Sequence, residues 1–110
     1  MTSLVGHLIN GKIVTDADKT QDVFNPSSGE VSKQVALANR ATVNEAIAAA
    51  EKAFVSWRNT PAMKRARVMF KFKDLLEQHS TKICDLIGQE HGKIAHDAAG
   101  ELQRGCLLYT

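Results

Sequence analysis

The sequence predicts an α+β chain in which two β-hairpins precede about four helices. Three observations carry that expectation. His7-Leu8-Ile9-Asn10-Gly11-Lys12-Ile13-Val14 sets an Asn-Gly pair between short β-prone runs, a strong hairpin signal because both residues tolerate positive φ. Between residues 42 and 79 apolar side chains recur at three- and four-residue spacing, which is the helical period. The strand-like segments all come before the helical ones, so the pattern contains no βαβ unit.

The elements follow in order. Residues 15–20 (TDADKT) form a polar loop of turn formers. Residues 22–25 read as a strand, Pro26-Ser27-Ser28-Gly29 as a turn, and residues 30–38 as a second strand with Val31, Val35 and Leu37 apolar. Residues 1–38 thus hold four expected strands in two hairpins, and residues 42–110 the helices. Thr42 and Glu45 make a capping box, so the first helix is expected to start at Thr42. Val43, Ala46, Ile47, Ala50, Phe54 and Trp57 share one face of it.

Arg58-Asn59-Thr60 breaks the pattern, Thr60 serves as a second cap, and Pro61 suits the first helical position, where no amide is needed. In the helix over residues 61–79, only Lys64, Arg67, Lys71, Asp74 and Gln78 form a polar stripe. Val68, Met69, Phe70, Phe72, Leu75 and Leu76 take more than half of the circumference, interrupted by Arg65 and Lys73. A helix that apolar needs cover on two sides, and the first helix supplies one. Ser80 is placed to cap a third helix carrying Ile83, Leu86 and Ile87. Its end is expected at Gly92 in the left-handed conformation, with His91 and Lys93 near the negative end of the dipole. Asp97 is placed to cap a fourth (AAGELQRGCLLYT), whose pattern has no terminator after Gly105. Natural domains rarely end in mid-helix, so a shortened product is expected.

At 110 residues the chain is one domain at most, and 44% hydrophobic with 24% charged residues places it among soluble globular proteins. Fourteen basic against 12 acidic residues give a net charge of +2, too balanced to imply a nucleic-acid or membrane partner by field alone. Cys84 and Cys106 have neither CxxC nor metal-site spacing and read as reduced thiols. No run approaches the roughly 20 apolar residues of a membrane span. The start at Met1 shows no leader pattern, and a cytoplasmic, bacterial-type product is expected.

Candidate chemistry is thin. Gly88-Gln89-Glu90-His91-Gly92-Lys93-Ile94 superficially suggests a phosphate loop. It is one residue short of GxxxxGK[ST], lacks the hydroxyl ligand and follows a helix, so a helix C-cap is the better reading. Gly100 and Gly105 form no GxGxxG and are expected to serve close helix packing. His91 and His96, five apart, fall on different faces of a helix. With Glu90, Asp97 and Glu101 they can be drawn as a metal site, without the i, i+4 histidines or paired cysteines that zinc sites use. Cys84 and Cys106 sit among apolar residues with no neighbouring base, which suits small core residues better than nucleophiles. Lys64, Arg65, Arg67, Lys71 and Lys73 are the best case for a nucleic-acid surface. Asp74 and Glu77 follow at once, and exposed aromatics for base stacking are not expected there, so a solvated face is the better reading.

Two stretches together resemble a known family. Ile9-Asn10-Gly11-Lys12, followed by DVFNPSSGEVSKQVALA at 22–38, is similar to the opening of aldehyde dehydrogenases. There an NP-x-x-GE turn precedes an Ala-rich helix ending in F-x-x-W, here Asn25-Pro26, Gly29-Glu30, Ala46 to Ala50, and Phe54-Val55-Ser56-Trp57. TPAMKRARVMFKFKDLLEQH at 60–79, EHGK at 90–93 and DAAGELQRG at 97–105 narrow the resemblance to the CoA-acylating methylmalonate-semialdehyde dehydrogenase branch. It covers residues 8–105. Most other branches have TGK where this chain has His91-Gly92-Lys93.

The resemblance implies an NAD-dependent oxidoreductase that converts methylmalonate or malonate semialdehyde to propionyl-CoA or acetyl-CoA, in valine or inositol catabolism. It also implies that the nucleotide-binding sheet, nucleophilic cysteine and activating glutamate lie beyond the equivalent of Gly105. No catalytic, cofactor-binding or metal residue of the family maps onto this chain. Where the family continues with a helix like LEVVEFA, this sequence has Cys106-Leu107-Leu108-Tyr109-Thr110. The implied role is structural, with the remainder of the dehydrogenase and neighbouring subunits as partners and with NAD and CoA bound elsewhere. The alternative is a small interaction module using the basic face of helix 61–79.

Overall fold

The computed structural model describes residues 3–107, with side chains to residue 105. Five strands precede four helices, an α+β arrangement: β1 (Ser3–Val5), β2 (His7–Ile9), β3 (Lys12–Val14), β4 (Lys19–Phe24), β5 (Val31–Leu37), α1 (Arg40–Trp57), α2 (Ala62–Gln78), α3 (Ser80–His91) and α4 (Ala95–Leu107). The chain forms two compact units. One takes residues up to Phe24 together with Glu30–Asn59, and the other takes Asn25–Gly29 and residues from Thr60 onward.

In the first unit β2 and β3 pair antiparallel, with His7 opposite Val14 and Ile9 opposite Lys12. The turn is the expected one: Asn10 (φ 49) and Gly11 (φ 74) both take the left-handed region, the geometry that matches the twist of the flanking strands. The other strands form a sheet of order β1-β5-β4, in which β4 and β5 are antiparallel and β1 runs parallel to β5. Ser3–Val5 is a fifth strand that sequence reading missed, because three residues carry no periodicity and the pairing partner lies some 30 positions away. The 22–25 expectation was also misplaced. The strand begins at Lys19, inside the polar 15–20 segment, since backbone pairing of Lys19 with Leu37 and Thr20 with Ala36 outweighs turn propensity. Register slips between Val23 and Phe24, and Ser32, the extra residue, donates its hydroxyl to the Val23 carbonyl at 3.0 Å.

Helix α1 starts two residues before the expected capping box. Asn39 is the N-cap, and its Oδ1 accepts from the amide (2.9 Å) and the hydroxyl (3.0 Å) of Thr42. Thr42 is therefore a buried third residue of the helix, held by the cap instead of being it. Asn39 Nδ2 also donates to Asp18 Oδ2 at 3.1 Å, which ties the cap to the loop before β4. Helix α1 packs on β2, and the buried apolar centre of this unit is Ile9 and Ala36.

In the second unit the Asn25–Gly29 turn is closed by Asn25, whose side chain accepts from the Ser27 amide (2.9 Å) and whose carbonyl accepts from Gly29 (2.8 Å). Helix α2 opens one residue later than expected. Pro61 (ψ 142) occupies the cap position, and its carbonyl accepts from Lys64 and Arg65. Ser80 does not cap α3 but is its first residue, because His79 joins α2 to α3 with scarcely a break, its amide still bonded to Leu75 and its carbonyl accepting from Ile83. Gly92 ends α3 as expected, with φ 76 and its amide on the Gly88 carbonyl at 2.9 Å. Asp97 lies within the first turn of α4, where the helix dipole favours it, and the helix begins at Ala95. Ala98, on α4, is fully buried. Helix α4 packs on α3, and both touch α2. Gly100 and Gly105 do not serve close packing, since a Cβ built on either meets nothing within 4 Å.

Candidate functional site

The residues singled out from sequence fall into separate places. The 88–94 segment is a helix end. The Gly92 amide bonds to the Gly88 carbonyl, which is the C-cap geometry. Lys93 turns to α4 instead, where Glu101 accepts from both Lys93 and Arg104. That double hydrogen bond, Lys93 first and Arg104 second, holds the Glu101 carboxyl below its ordinary value. Glu101 is thereby committed to cations of its own chain. Among the described residues no group of three His, Cys, Asp or Glu side chains stands close enough to hold a metal ion, and His91 and His96 are both exposed.

A nucleotide cofactor asks for free amides where a strand enters a helix. Among the described residues that junction occurs once, from β5 into α1, and its first-turn amide at Thr42 is already capped by Asn39.

On α2, Lys64, Arg67 and Lys71 are exposed, whereas Arg65 and Lys73 are half-buried and Lys73 is paired with Glu77. The expectation that exposed aromatics are lacking there was wrong. Phe70 and Phe72 are 55% and 43% exposed, because the apolar arc of α2 is wider than the cover this chain provides. Arg67 and Lys71 share a shallow depression with Val68, Phe72 and Leu75, so the basic stripe is bordered by apolar surface. Helix α1 behaves likewise. Its expected apolar face, with Val43, Ile47, Phe54 and Trp57, lies open to solvent.

Within the second unit α2, α3 and α4 enclose an open cleft of about 650 Å³. Helix α4 lines it with Ala95, Ala99, Leu102 and Gln103, and α3 with Ser80, Thr81, Cys84 and Asp85. Lys73 and Glu77 of α2 are its remaining contributors. Cys84 is thus not a sealed core residue; it is a half-buried wall of this cleft, which Asp85, Glu77 and Lys73 also line. The side chain of Cys106 lies outside the described residues, as do residues 108–110. Sequence reading missed the cleft, although the i, i+4, i+7 spacing of Ala95, Ala99 and Leu102 marks a second apolar stripe beside buried Ala98.

The common feature is uncovered apolar surface. The chain exposes 8664 Å². A folded chain of this length exposes about 6,000 Å², and two separate bodies of half the mass about 7,200 Å². Among the described residues of α1 and α2, large apolar side chains such as Ile47, Phe54, Val68 and Phe70 lie open to solvent.

Residues 13–109 match the model of the aldehyde dehydrogenase family. A malonate-semialdehyde dehydrogenase of Pseudomonas aeruginosa is 56% identical over 99 residues, covering 90% of this chain and 20% of its own length. The crystal structure of methylmalonate-semialdehyde dehydrogenase from Oceanimonas doudoroffii superposes with a TM-score of 0.94 at 62% identity, over 99% of this chain and 22% of that one. A candidate methylmalonate-semialdehyde dehydrogenase of Sinorhizobium meliloti, crystallised with NAD, gives a TM-score of 0.95 at 36% identity over the same shares. The chain spans about a fifth of the length of these relatives. Among its described residues no helix is long and apolar enough to cross a membrane.

Proposed function

The chain belongs to the aldehyde dehydrogenase family, and on that footing we propose that its residues are the N-terminal portion of a CoA-acylating methylmalonate-semialdehyde dehydrogenase. The whole enzyme would oxidise methylmalonate or malonate semialdehyde in the cytoplasm, with NAD accepting hydride and CoA accepting the acyl group. The observation that carries the reading is identity of 56% and 62% to proteins of those two names across nearly all of this chain, on the same fold.

The 110 residues would contribute no catalytic, cofactor or metal group. Binding dinucleotide needs free amides at a strand-to-helix turn, and acyl transfer needs an activated thiolate with an oxyanion site. The Thr42 amide is already capped by Asn39, which supports this assignment. The role is then architectural: hairpins and helices that pack, through the open faces of α1 and α2, against the remainder of the dehydrogenase and neighbouring subunits.

The test is reconstitution. The 110-residue chain is assayed for NAD reduction with malonate semialdehyde and CoA, alone and co-expressed with the Pseudomonas relative shortened by its matching segment. The expected result is no turnover from either piece alone and turnover from the pair. Turnover by the 110-residue chain alone would overturn the reading. A chain that unfolds cooperatively by itself and adds nothing to the shortened relative would support the interaction module on helix 61–79 instead.

A further inference from the structure

We infer that the cleft between α2, α3 and α4 is the seat of an apolar segment supplied by the dehydrogenase beyond the portion this chain represents. The inference rests on the reading above and assigns one surface within it. Helices of one unit that pack closely leave little space between them, and an open cleft of about 650 Å³ between α2, α3 and α4 is room for further side chains. Left alone it holds solvent against apolar walls.

The chemistry of the walls selects the occupant. Ala95, Ala99 and Leu102 give α4's side an apolar stripe that rises about 10 Å along the helix, enough to meet two turns of a helix or a short extended run. The small side chains at 95 and 99 keep that stripe shallow, so a neighbouring backbone can come close. A small polar metabolite would need polar groups converging on the floor. Here Lys73 pairs with Glu77, and the other polar contributors (Ser80, Thr81, Asp85 and Gln103) come from two different helices. Most of the wall, with Cys84 a weakly polar part of it, is apolar. The relatives contain such segments, since they extend over roughly four further lengths of this chain.

Cys84 provides the readout. The chain carrying Cys106→Ser, so that Cys84 is the reporting thiol, is co-expressed with the shortened Pseudomonas relative, itself stripped of reactive surface cysteines. The rate of maleimide labelling at Cys84 is compared in the free chain and in the purified complex. Occupation of the cleft predicts labelling slowed by about tenfold or more in the complex, a change equal to roughly 1.4 kcal/mol of protection. Ala99→Trp, which fills the cleft from within, is expected to cut recovery of the complex at least about tenfold while leaving the helical circular dichroism of the free chain unchanged.

A complex that forms with Cys84 as reactive as in the free chain would overturn this inference and leave the proposed function standing. Failure of any complex to form would overturn both. Protection of Cys84 in the free chain by NAD or CoA would make the cleft a small-molecule site and would likewise overturn it.

Discussion

Replacing Gly92 by alanine tests how the end of α3 is held. Gly92 has φ 76, a conformation that costs an L-residue about 1–2 kcal/mol, offset by about 0.4–1 kcal/mol because alanine stiffens the unfolded chain. Gly11 has φ 74 and meets the same two effects, and a Cβ there touches nothing within 4 Å. At Gly92 the new Cβ falls 3.1 Å from Pro26 Cγ and 3.7 Å from Pro26 Cβ. The nearer contact is shorter than the 3.5–4.0 Å optimum for carbon atoms by a few tenths of an ångström. The proline ring cannot rotate away, and Asn25 pins the turn that carries it through Ser27 and Gly29. Relief must come from backbone shifts, adding about 1 kcal/mol.

Gly92→Ala should therefore cost about 2 kcal/mol and Gly11→Ala about 1 kcal/mol or less. Amide hydrogen exchange measures each locally, whether or not the chain unfolds as one unit; for Gly92 the reporter is its own amide, bonded to Gly88. Pro26→Ala removes the offending Cγ, so in that background the cost at Gly92 should fall to the cost at Gly11. If Gly92→Ala is as mild as Gly11→Ala, or if Pro26→Ala brings no relief, the contact between the turn and α3 is not what the geometry says.

Two further predictions concern α1 and α4. Asn39→Ala removes both bonds to Thr42 and should cost about 1 kcal/mol, seen as faster exchange of the first-turn amides of α1; unchanged exchange there would return the cap to Thr42. Glu101 has a carboxyl held below its ordinary 4.5, so its contribution is present above that pH and is lost as pH falls through the lowered value. A carbon-13 titration of its carboxyl should give a midpoint under 4.5, and Lys93→Met with Arg104→Met should restore the ordinary value, whereas a midpoint at 4.5 in the unsubstituted chain would refute the double hydrogen bond.

Local signals were legible in the sequence to the extent that one residue or one period decided them. Asn10-Gly11 and Gly92 each fix a left-handed position that few residues accept, and both turned out as expected. The caps were harder. Thr42, Ser80 and Asp97 are all good capping residues, yet each lies inside its helix: Asn39, beside the loop at Asp18, caps α1 upstream of Thr42, α2 runs on through His79 into Ser80, and α4 begins at Ala95. The parallel pairing of Ser3–Val5 with β5 is a tertiary event with no local trace. Gly100 and Gly105 misled in the opposite sense, since a glycine on a helix face invites a packing partner that this chain does not bring.

That last point extends to the whole of α2. Its apolar arc is a non-local signal: Val68, Phe70, Phe72 and Leu75 were selected for neighbours, and in this chain 41–55% of each remains exposed. Intrinsic helix propensity and i, i+4 pairs such as Lys73–Glu77 contribute only tenths of a kcal/mol each, so α2 owes its stability to burial that this chain supplies on one side only. A polar substitution on an open face should then be nearly silent in the free chain and damaging once the face is covered. Phe70→Ser makes the distinction sharp, because a phenylalanine that is already 55% exposed forfeits little in isolation but a core-like contact in an assembly. On the reading proposed above, the exposed arc is half of an interface, and the other half would come from the part of the enzyme that the relatives have beyond this fifth of their length.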